Sequence, residues 1–361
     1  MKRAIALIIG IAVSVFLFAR SMAGTSMEGL RVAFQSANYL TLPLMLLLLF
    51  GFYWLKAMRW KWLLAPVCPL TTRQLFKPLL IGFAFNNLLP AHLGEFVRVF
   101  VVRTRHGIPA STVLSTVVLE RIFDVVAILA LFSLGLLFTD NMPQEYRDNA
   151  LIFAGFCVIG VLCVAAYLIW TDWFLKLSET MMNWVLPKAI SSKILEMLQA
   201  GAHGLHALKS GKAIFLIAVS SLVQWTLNGL IAYTALKAFH VPVTISAGMI
   251  ITGVTAMGVT IPSTPGYFGV IQYCFRISMV AQGIPFDPSQ VMAASVYYHM
   301  SMYIPVTLLG LYYMVSMKVK FSDITKAADT HELEEVAHAA ADEEFADNPS
   351  APAAQQVDGA S

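Results

Sequence analysis

Charged side chains are scarce in this sequence. Only 12% of its 361 residues are Asp, Glu, Lys or Arg, whereas 58% are hydrophobic. A soluble domain carries about 25% charged residues, so the composition excludes an ordinary soluble protein. Several apolar runs approach the ~20 residues that an α-helix needs to cross a bilayer, and the alternating segments of ~10 residues typical of a transmembrane barrel are absent. The sequence therefore predicts an all-α polytopic membrane protein.

The sequence also lacks the motifs of several functional classes. Its four cysteines show no metal-ligand spacing, so neither a metal site nor a cofactor is predicted. It contains no phosphate-binding Walker loop and no dinucleotide fingerprint, which argues against an ATP-driven pump. The net charge of +3 combines basic loops with an acidic tail, and it gives no reason to expect a nucleic-acid partner.

The apolar pattern predicts about six full membrane spans. They are placed near residues 4–19, 39–55, 111–138, 150–170, 213–236 and 291–317. Lys and Arg in short loops mark the cytoplasmic side, and this bias places both chain termini in the cytoplasm. On the same ground the basic aromatic segment that contains Lys56, Arg59 and Lys61 is assigned to the cytoplasmic surface. A mildly polar loop is expected at 20–38, and an amphipathic interfacial helix is expected within 171–212.

Two interrupted apolar segments predict re-entrant helical hairpins. The first joins 78–89, which is too short to cross a bilayer, to 94–102, and the second joins 245–261 to 267–281. Broken backbone at membrane depth is tolerated where it lines a cavity or is buried in protein. The residues expected to shape the two breaks are Pro90, Gly94, Pro262, Pro265, Gly266 and Gly269. Spans and hairpins together give about seven or eight membrane segments.

The two halves of the chain resemble each other. LLPAHLGEFVR and IPSTPGYFGVIQ share proline, three residues, glycine, one residue and phenylalanine, and HGIPASTV and QGIPFDPSQV follow them. The charge bias puts the ends of the first hairpin inside and those of the second outside. Such inverted repeats are typical of secondary transporters, which bind substrate near the midplane. The sequence thus predicts a transport domain over residues 1–320, with repeats at about 39–138 and 213–317.

Polar side chains inside the apolar runs are candidates for a transport site, because such groups are costly at membrane depth and usually face a cavity or one another. The expected substrate-binding or gating residues are Asn86, Glu95, Arg98, Glu120, Arg121, Asp124, Ser263, Tyr267 and His299. The first half of the chain supplies acidic and basic side chains that suit a charged head group. The second half supplies hydroxyl groups and aromatic rings that suit a sugar-like surface. The alternative is a structural role. The charged residues of the span near 111–138 would then form an ion-pair lock with Arg98, and Asn86 would hydrogen-bond backbone groups that the break leaves unpaired.

FNNLLPAHLGEFVRVF, the LERIFD run and IPSTPGYFGV together resemble the lysylphosphatidylglycerol synthase transmembrane-region family, which includes the flippase domain of the bacterial multiple peptide resistance factor. The resemblance covers roughly residues 2–320. It implies a multi-pass protein of the bacterial inner membrane. By position, the resemblance assigns two sets of residues to conserved family blocks: Asn86, Pro90, Gly94, Glu95, Arg98, Glu120, Arg121 and Asp124 to the first, and Pro262, Ser263, Pro265, Gly266 and Gly269 to the second. Residues 321–361 are expected to form a disordered acidic cytoplasmic tail, too short for the aminoacyl-transferase domain of bifunctional members. Lysylphosphatidylglycerol synthesis is therefore not implied.

Three functions are compatible with the sequence. The favoured one is a non-enzymatic, flippase-like transporter that moves a phospholipid, glycolipid or hopanoid-type lipid between leaflets. The second is an intramembrane lipid-modifying enzyme that uses paired carboxylates. The third is a non-transporting partner of a lipid-biosynthesis complex. Membrane lipids are the expected ligands, and lipid-biosynthesis enzymes and further copies of this chain are candidate partners.

Overall fold

The computed structural model describes residues 2–89, 93–139, 144–185, 191–192, 195, 211–261 and 263–319. These residues fold into α-helices joined by short connections, and none of them lies in a β-strand, which confirms the predicted all-α class. The helices are α1 (Lys2–Ser21), α2 (Met27–Ser36), α3 (Leu42–Leu64), α4 (Thr72–Leu88), α5 (Gly94–His106), α6 (Ala110–Leu137), α7 (Gln144–Ile169), α8 (Thr171–Val185), α9 (Gly211–Ala238), α10 (Ile245–Gly258), α11 (Val270–Ala281) and α12 (Pro288–Ser316).

Long apolar helices coincide with the predicted spans. Within the described residues, two stretches are long and apolar enough by length and composition to cross a membrane: Tyr39–Leu64, which contains α3, and Gly211–Ala238, which is α9. Helices α6 and α12 are as long, with 28 and 29 residues, although charged side chains interrupt the apolar surface of α6. The exact number of full spans stays a prediction.

The outer surface of the bundle is rich in large apolar side chains. Leu47, Phe156 and Leu308, on three different helices, are each 63–66% exposed. Soluble monomers rarely expose large contiguous apolar patches, whereas lipid tails solvate such a surface without cost. The distribution of apolar side chains on both the inside and the outside is therefore that of a helical membrane protein.

Three sequence-based assignments are wrong. The first hairpin is expected to begin at residue 78, but the capping box of Thr71 and Gln74 starts α4 at Thr72, and Pro78 lies inside the helix. The second predicted span ends at residue 55, but α3 continues to Leu64, because no proline or glycine interrupts the helix before Pro66. Lys56 and Arg59 consequently lie inside the bundle rather than at the cytoplasmic surface. The loop expected at 20–38 contains α2, which begins after Ser26, whose hydroxyl accepts a hydrogen bond from the Gly29 amide at 2.9 Å.

Both predicted hairpins are present as pairs of packed helices. Helix α4 has 17 residues and α5 has 13, so at 1.5 Å per residue they reach only about 25 and 20 Å, short of the ~30 Å hydrocarbon core. They approach so closely that a Cβ on Gly94 would overlap the Gly82 carbonyl oxygen. The Asn86 side chain accepts a hydrogen bond from the Gly94 amide at 2.8 Å and so closes the break. Pro90 lies outside the described residues.

The second hairpin consists of α10 and α11 and is broken by the 3-10 turn Pro265–Tyr267. Gly266 and Gly269 have φ angles of 75° and 85°, a conformation that glycine adopts without strain. Helix α1 packs against this break: Ser14 Oγ accepts from the Thr264 amide at 2.9 Å and lies 2.9 Å from Thr264 Oγ1. Pro262 lies outside the described residues.

The two hairpins open towards opposite ends of α12. Near the end of the first hairpin, the Arg105 guanidinium donates to the carbonyl of Met317, at the C-terminal end of α12. Near the end of the second, Arg276 donates to the Ser21 carbonyl at 3.3 Å, and Gly24 lies against Pro288, where α12 begins. Opposite entry of the hairpins agrees with the charge bias of the sequence, while an inverted symmetry relating the two halves stays a prediction.

Candidate functional site

Seven ionisable side chains from three helices meet inside the bundle and form what we call the charge cluster. Its members are Lys56 and Arg59 on α3, Glu95 and Arg98 on α5, and Glu120, Arg121 and Asp124 on α6. Residues three or four apart share one face of a helix. The spacing within each helix therefore lets α3 present two cations and α6 two carboxylates to the same interior point.

Glu120 and Asp124 lie at the centre of the charge cluster. The Lys56 ammonium is 2.9 Å from Glu120 Oε1 and 2.8 Å from Asp124 Oδ2. Arg59 Nη1 is 2.8 Å from Asp124 Oδ1, and Arg98 Nη1 donates to Glu120 Oε2 at 3.0 Å. All five side chains are at most 3% exposed. Removing one partner of such a buried pair leaves an uncompensated charge, which costs about 3–5 kcal/mol.

Neutral side chains of α9 add hydrogen bonds to the cluster. Gln224 Nε2 and Trp225 Nε1 both donate to Asp124 Oδ1, at 3.1 and 2.8 Å. Arg59 Nη1 contacts Ser221 Oγ at 2.5 Å. A buried carboxylate that accepts several hydrogen bonds is stabilised in its charged form. The charge cluster therefore fastens α3, α5, α6 and α9 together.

Glu95 and Arg121 form the accessible edge of the cluster. Arg121 Nη2 is 2.5 Å from Glu95 Oε1 and its Nη1 is 3.8 Å from Asp124 Oδ2. Their side chains are 21% and 38% exposed, unlike the five inner members. Four cations face three carboxylates in the cluster as the described residues define it, which leaves an excess of one positive charge.

A cavity of about 200 Å³ adjoins the charge cluster. Its wall combines aromatic rings with uncharged polar groups. The rings are Phe52, Tyr53, Phe83, Trp225, Tyr267, Tyr298 and Tyr303, and the polar residues are Asn87, Asn228, Thr252, Thr255 and His299. No Asp, Glu, Lys or Arg of the described chain is part of this wall. The cavity wall is therefore mostly apolar, and it offers uncharged polar groups among its rings.

The wall itself separates the cavity from the cluster. The Lys56 ammonium lies 6.0 and 5.7 Å from the ring centroids of Phe52 and Phe83, both of which line the cavity. Trp225 also lines the cavity while its indole N–H is bonded to Asp124. Cations attract aromatic faces at about these distances. A displacement of these rings therefore changes the contacts of Lys56 and Asp124 directly.

Within the cavity most polar groups already have partners. Asn228 Oδ1 accepts from Tyr298 Oη at 3.2 Å and from Thr252 Oγ1 at 3.3 Å. His299 Nδ1 lies 3.2 Å from the amide nitrogen of Gln272. Thr255 Oγ1, in contrast, is buried and has no hydrogen-bond partner among the described residues. Thr255 is therefore a wall residue whose hydroxyl has unused hydrogen-bonding capacity.

The sequence-predicted residues fall into four places rather than one. Glu95, Arg98, Glu120, Arg121 and Asp124 belong to the charge cluster. Tyr267 and His299 line the cavity, with Gly266 beside them. Asn86 holds the first hairpin, and Ser263 lies near α1, where its carbonyl would meet a Cβ placed on Gly10.

Several residues of the site were missed. Lys56 and Arg59 had been interpreted as a loop, although their spacing of three and the uninterrupted helical pattern up to Pro66 were visible signals. Gln224 and Asn228 interrupt an otherwise apolar span four residues apart, so they also carried a signal. Uncharged polar side chains in a span indicate an interior face as ionisable ones do, because both need partners there.

The fold and site define a helical membrane protein with two broken hairpins around a buried polar centre. The sequence matches the family described as "Lysylphosphatidylglycerol synthase TM region" over residues 7–310, and the chain belongs to this family. It is similar to the UPF0104 membrane protein MJ1078 of Methanocaldococcus jannaschii, with 24% identity over 238 residues, 65% of this chain and 95% of that protein. It is also similar to the glycosyltransferase AglD of Haloferax volcanii, with 22% identity over 287 residues, 71% of this chain and 45% of that protein. No solved structure matches it.

Proposed function

We propose that this protein moves a polar lipid between the two leaflets of a membrane, with the lipid head group passing through the cavity. The observation that carries the proposal is a partly open cavity with uncharged polar groups in its wall, inside a bundle whose outer surface is apolar. A head group needs a hydrogen-bonding environment while it crosses, and its acyl chains need contact with lipid. The cavity offers the first and the outer surface the second.

Both hairpins contribute to the cavity, which supports a moving site. Asn87 lies near the end of α4, and Tyr267 lies in the break between α10 and α11. Because the hairpins open towards opposite ends of α12, a shift of either hairpin opens the cavity towards a different leaflet. Broken helices that meet at a substrate site are the arrangement found in many secondary transporters.

The charge cluster acts in this proposal as the gate behind the cavity. Its inner pairs are fully buried, so they hold the helices, whereas the Glu95–Arg121 pair is partly exposed. We assign the exchange of partners during transport to this outer pair. Arg121 has a second carboxylate, Asp124, within 3.8 Å, so it can leave Glu95 without losing all compensation.

Lipid movement can be measured with purified protein in vesicles that contain acyl-labelled fluorescent lipids. A membrane-impermeant reductant quenches only the outer leaflet, so protein-mediated movement raises the quenched fraction above about half. We expect Ala256→Trp to suppress movement, because Ala256 lines the cavity and the larger side chain fills it. The matched control is Ala12→Trp, on an exposed position of α1. Wild-type vesicles that behave like protein-free ones would contradict the proposal.

An intramembrane lipid-modifying enzyme is the second candidate function, since one relative is a glycosyltransferase. Acid–base chemistry by paired carboxylates requires them to reach the substrate. Glu120 and Asp124 are instead engaged with cations, and neither lines the cavity. This arrangement favours transport. Lipid analysis of a deletion strain tests the difference, because loss of a lipid species supports an enzyme and altered sidedness of unchanged species supports a transporter.

A further inference from the structure

We propose that the group entering the cavity is uncharged and hydroxyl-rich, as a single sugar is, and that the protein selects lipids with such a head group. The inference rests on the transport function proposed above and specifies its substrate class. Three properties of the cavity carry it, namely its size, the chemistry of its wall and the charge behind that wall.

The size of the cavity limits what it can hold. Its volume is about 200 Å³, whereas pockets for drug-sized ligands occupy roughly 300–1,000 Å³. A complete lipid with its acyl chains does not fit into this space. The cavity therefore encloses one compact head group, while the chains stay in contact with the bilayer.

The wall presents groups that complement hydroxyls. Asn, Thr and Tyr side chains both donate and accept hydrogen bonds, as sugar hydroxyls do. Asn228 on α9 and Tyr298 on α12 are such groups and are bonded to each other at 3.2 Å, while Thr255 Oγ1 has no partner among the described residues. A buried polar atom without a partner carries a desolvation cost that a bound hydroxyl removes. Aromatic faces such as that of Trp225 add apolar area for the ring carbons of a sugar.

The charges around the cavity disfavour ionic head groups. A cationic group finds no carboxylate in the described wall, and it meets a cluster with one excess positive charge. The Phe52 and Phe83 rings already face the Lys56 ammonium, so they are poorly placed to attract a second cation. An anionic group finds no Lys or Arg in the same wall. Burying an unpaired charge is costly, so an uncharged group is preferred over either.

The test compares three lipids by their binding to the purified protein and by their movement in vesicles. The probes are monoglucosyl-diacylglycerol, phosphatidylserine and phosphatidylcholine with identical acyl chains. Native mass spectrometry of the purified protein with an equimolar mixture measures binding, and the fluorescence assay above measures movement. We expect the glucosyl lipid to be bound preferentially and moved fastest.

A matched pair of substitutions locates the selectivity. Thr255→Val removes the unpartnered hydroxyl with little change in volume, and we expect it to slow movement of the glucosyl lipid roughly two- to tenfold. Thr226→Val is the control, because Thr226 does not line the cavity and its hydroxyl is bonded to the Leu222 carbonyl of its own helix. The control is expected to leave the rates of all three lipids unchanged.

The outcomes separate the substrate class from the transport function. Preferred binding of the glucosyl lipid without movement of any lipid supports the cavity assignment and contradicts the transport function. Movement of all three lipids at equal rates, or preference for a charged lipid, overturns the substrate class and leaves transport standing. Equal loss of movement in both valine variants would also overturn the assignment, because it would show that the Thr255 hydroxyl has no particular role.

Discussion

Lys56 has two carboxylates within 3 Å of its ammonium group, and it lies in a helix that is otherwise among the most apolar of the chain. Arg59, one turn further, contacts the same two carboxylates. Residues of this type near the end of a span normally mark the cytoplasmic surface. Here their partners come from α6, more than sixty positions later in the chain, so no local pattern reveals them.

Glu120 compensates two buried cations of the inner cluster, Lys56 and Arg98. Glu120→Gln keeps the size of the side chain but removes the charge that compensates Lys56 and Arg98, so we expect the free energy of unfolding to fall by about 3–5 kcal/mol. Denaturation of the detergent-solubilised protein, followed by circular dichroism, measures the change. Glu28→Gln is the control, because Glu28 pairs with Arg31 on the exposed surface of α2 and should have little measurable effect. Equal effects of the two substitutions would show that the buried cluster contributes no more than a surface pair.

Only part of the candidate site could be predicted from the sequence, and the reason is physical. Arg98, Glu120 and Asp124 stand out because each interrupts an apolar run, and the structure does bring them together. Thr255 and Tyr298 do not stand out, since hydroxyls occur throughout apolar helices and commonly bond to their own backbone. Whether such a hydroxyl faces a cavity is decided by helix packing, which one sequence does not contain.

At the scale of elements, the hairpins could be predicted from proline and glycine. Their helices begin and end within a few residues of the expected positions, except that α4 begins at Thr72 rather than at residue 78. The breaks were visible because these residues interrupt helices for reasons of backbone geometry alone. The short helix α2 was missed because its surroundings are polar. The extension of α3 was missed because its last turns contain the cations of the charge cluster.

The packing of α4 on α5 depends on a glycine contact. Gly94→Ala would place a methyl group against the Gly82 carbonyl and the Asn86 side chain, so the helices must separate. We expect a loss of about 1–3 kcal/mol or more, typical of overpacking. Thermal unfolding of the purified variant measures it. Gly155→Ala on α7 is the matched control, because no atom lies within 4 Å of the added methyl, and a comparable loss there would contradict the explanation.

The contact of α1 with the second hairpin should govern local order at its break. Ser14→Ala removes the hydroxyl that accepts from the Thr264 amide, so we expect faster hydrogen exchange across residues 263–269. The loss of one hydrogen bond corresponds to about 0.5–1.5 kcal/mol of local stability. Exchange followed by mass spectrometry provides the measurement. Ser316→Ala, which removes only a hydroxyl bonded within its own exposed helix end, should leave that segment unchanged. Unaltered exchange in both variants would mean that α1 does not hold the break.

At the scale of the whole molecule, the chain belongs to a family of membrane proteins. At each end of α12, contacts bring together loops that the charge bias assigns to the same side of the membrane. The contacts identify two ends of the bundle, whereas the charges predict which end is cytoplasmic. Sidedness depends on insertion into a membrane and is independent of internal packing, so it needs its own measurement.

Single cysteines in a cysteine-free background provide that measurement. We expect a membrane-impermeant maleimide to label Glu28→Cys in intact cells or right-side-out vesicles, because the connection before α3 is predicted to lie outside. Arg73→Cys, before α4, should be labelled only after lysis. Both positions are exposed, so accessibility to the reagent differs only by side. The reverse pattern would invert the predicted topology, and it would leave the internal arrangement of hairpins and cavity unchanged.

The separation of the cluster's charges along the chain determines the order in which the protein can be built. Lys56 leaves the ribosome 68 residues before Asp124. Each unpaired Lys or Arg at the centre of a span opposes insertion by about 2.5–3.5 kcal/mol, and by less towards the end of a span, where Lys56 and Arg59 lie. Helix α3 therefore enters the bilayer with two cations whose carboxylate partners have not yet been synthesised, and the pairs form only after α6 has followed. A chain truncated between the two helices would leave both cations without the carboxylates that compensate them in the folded protein.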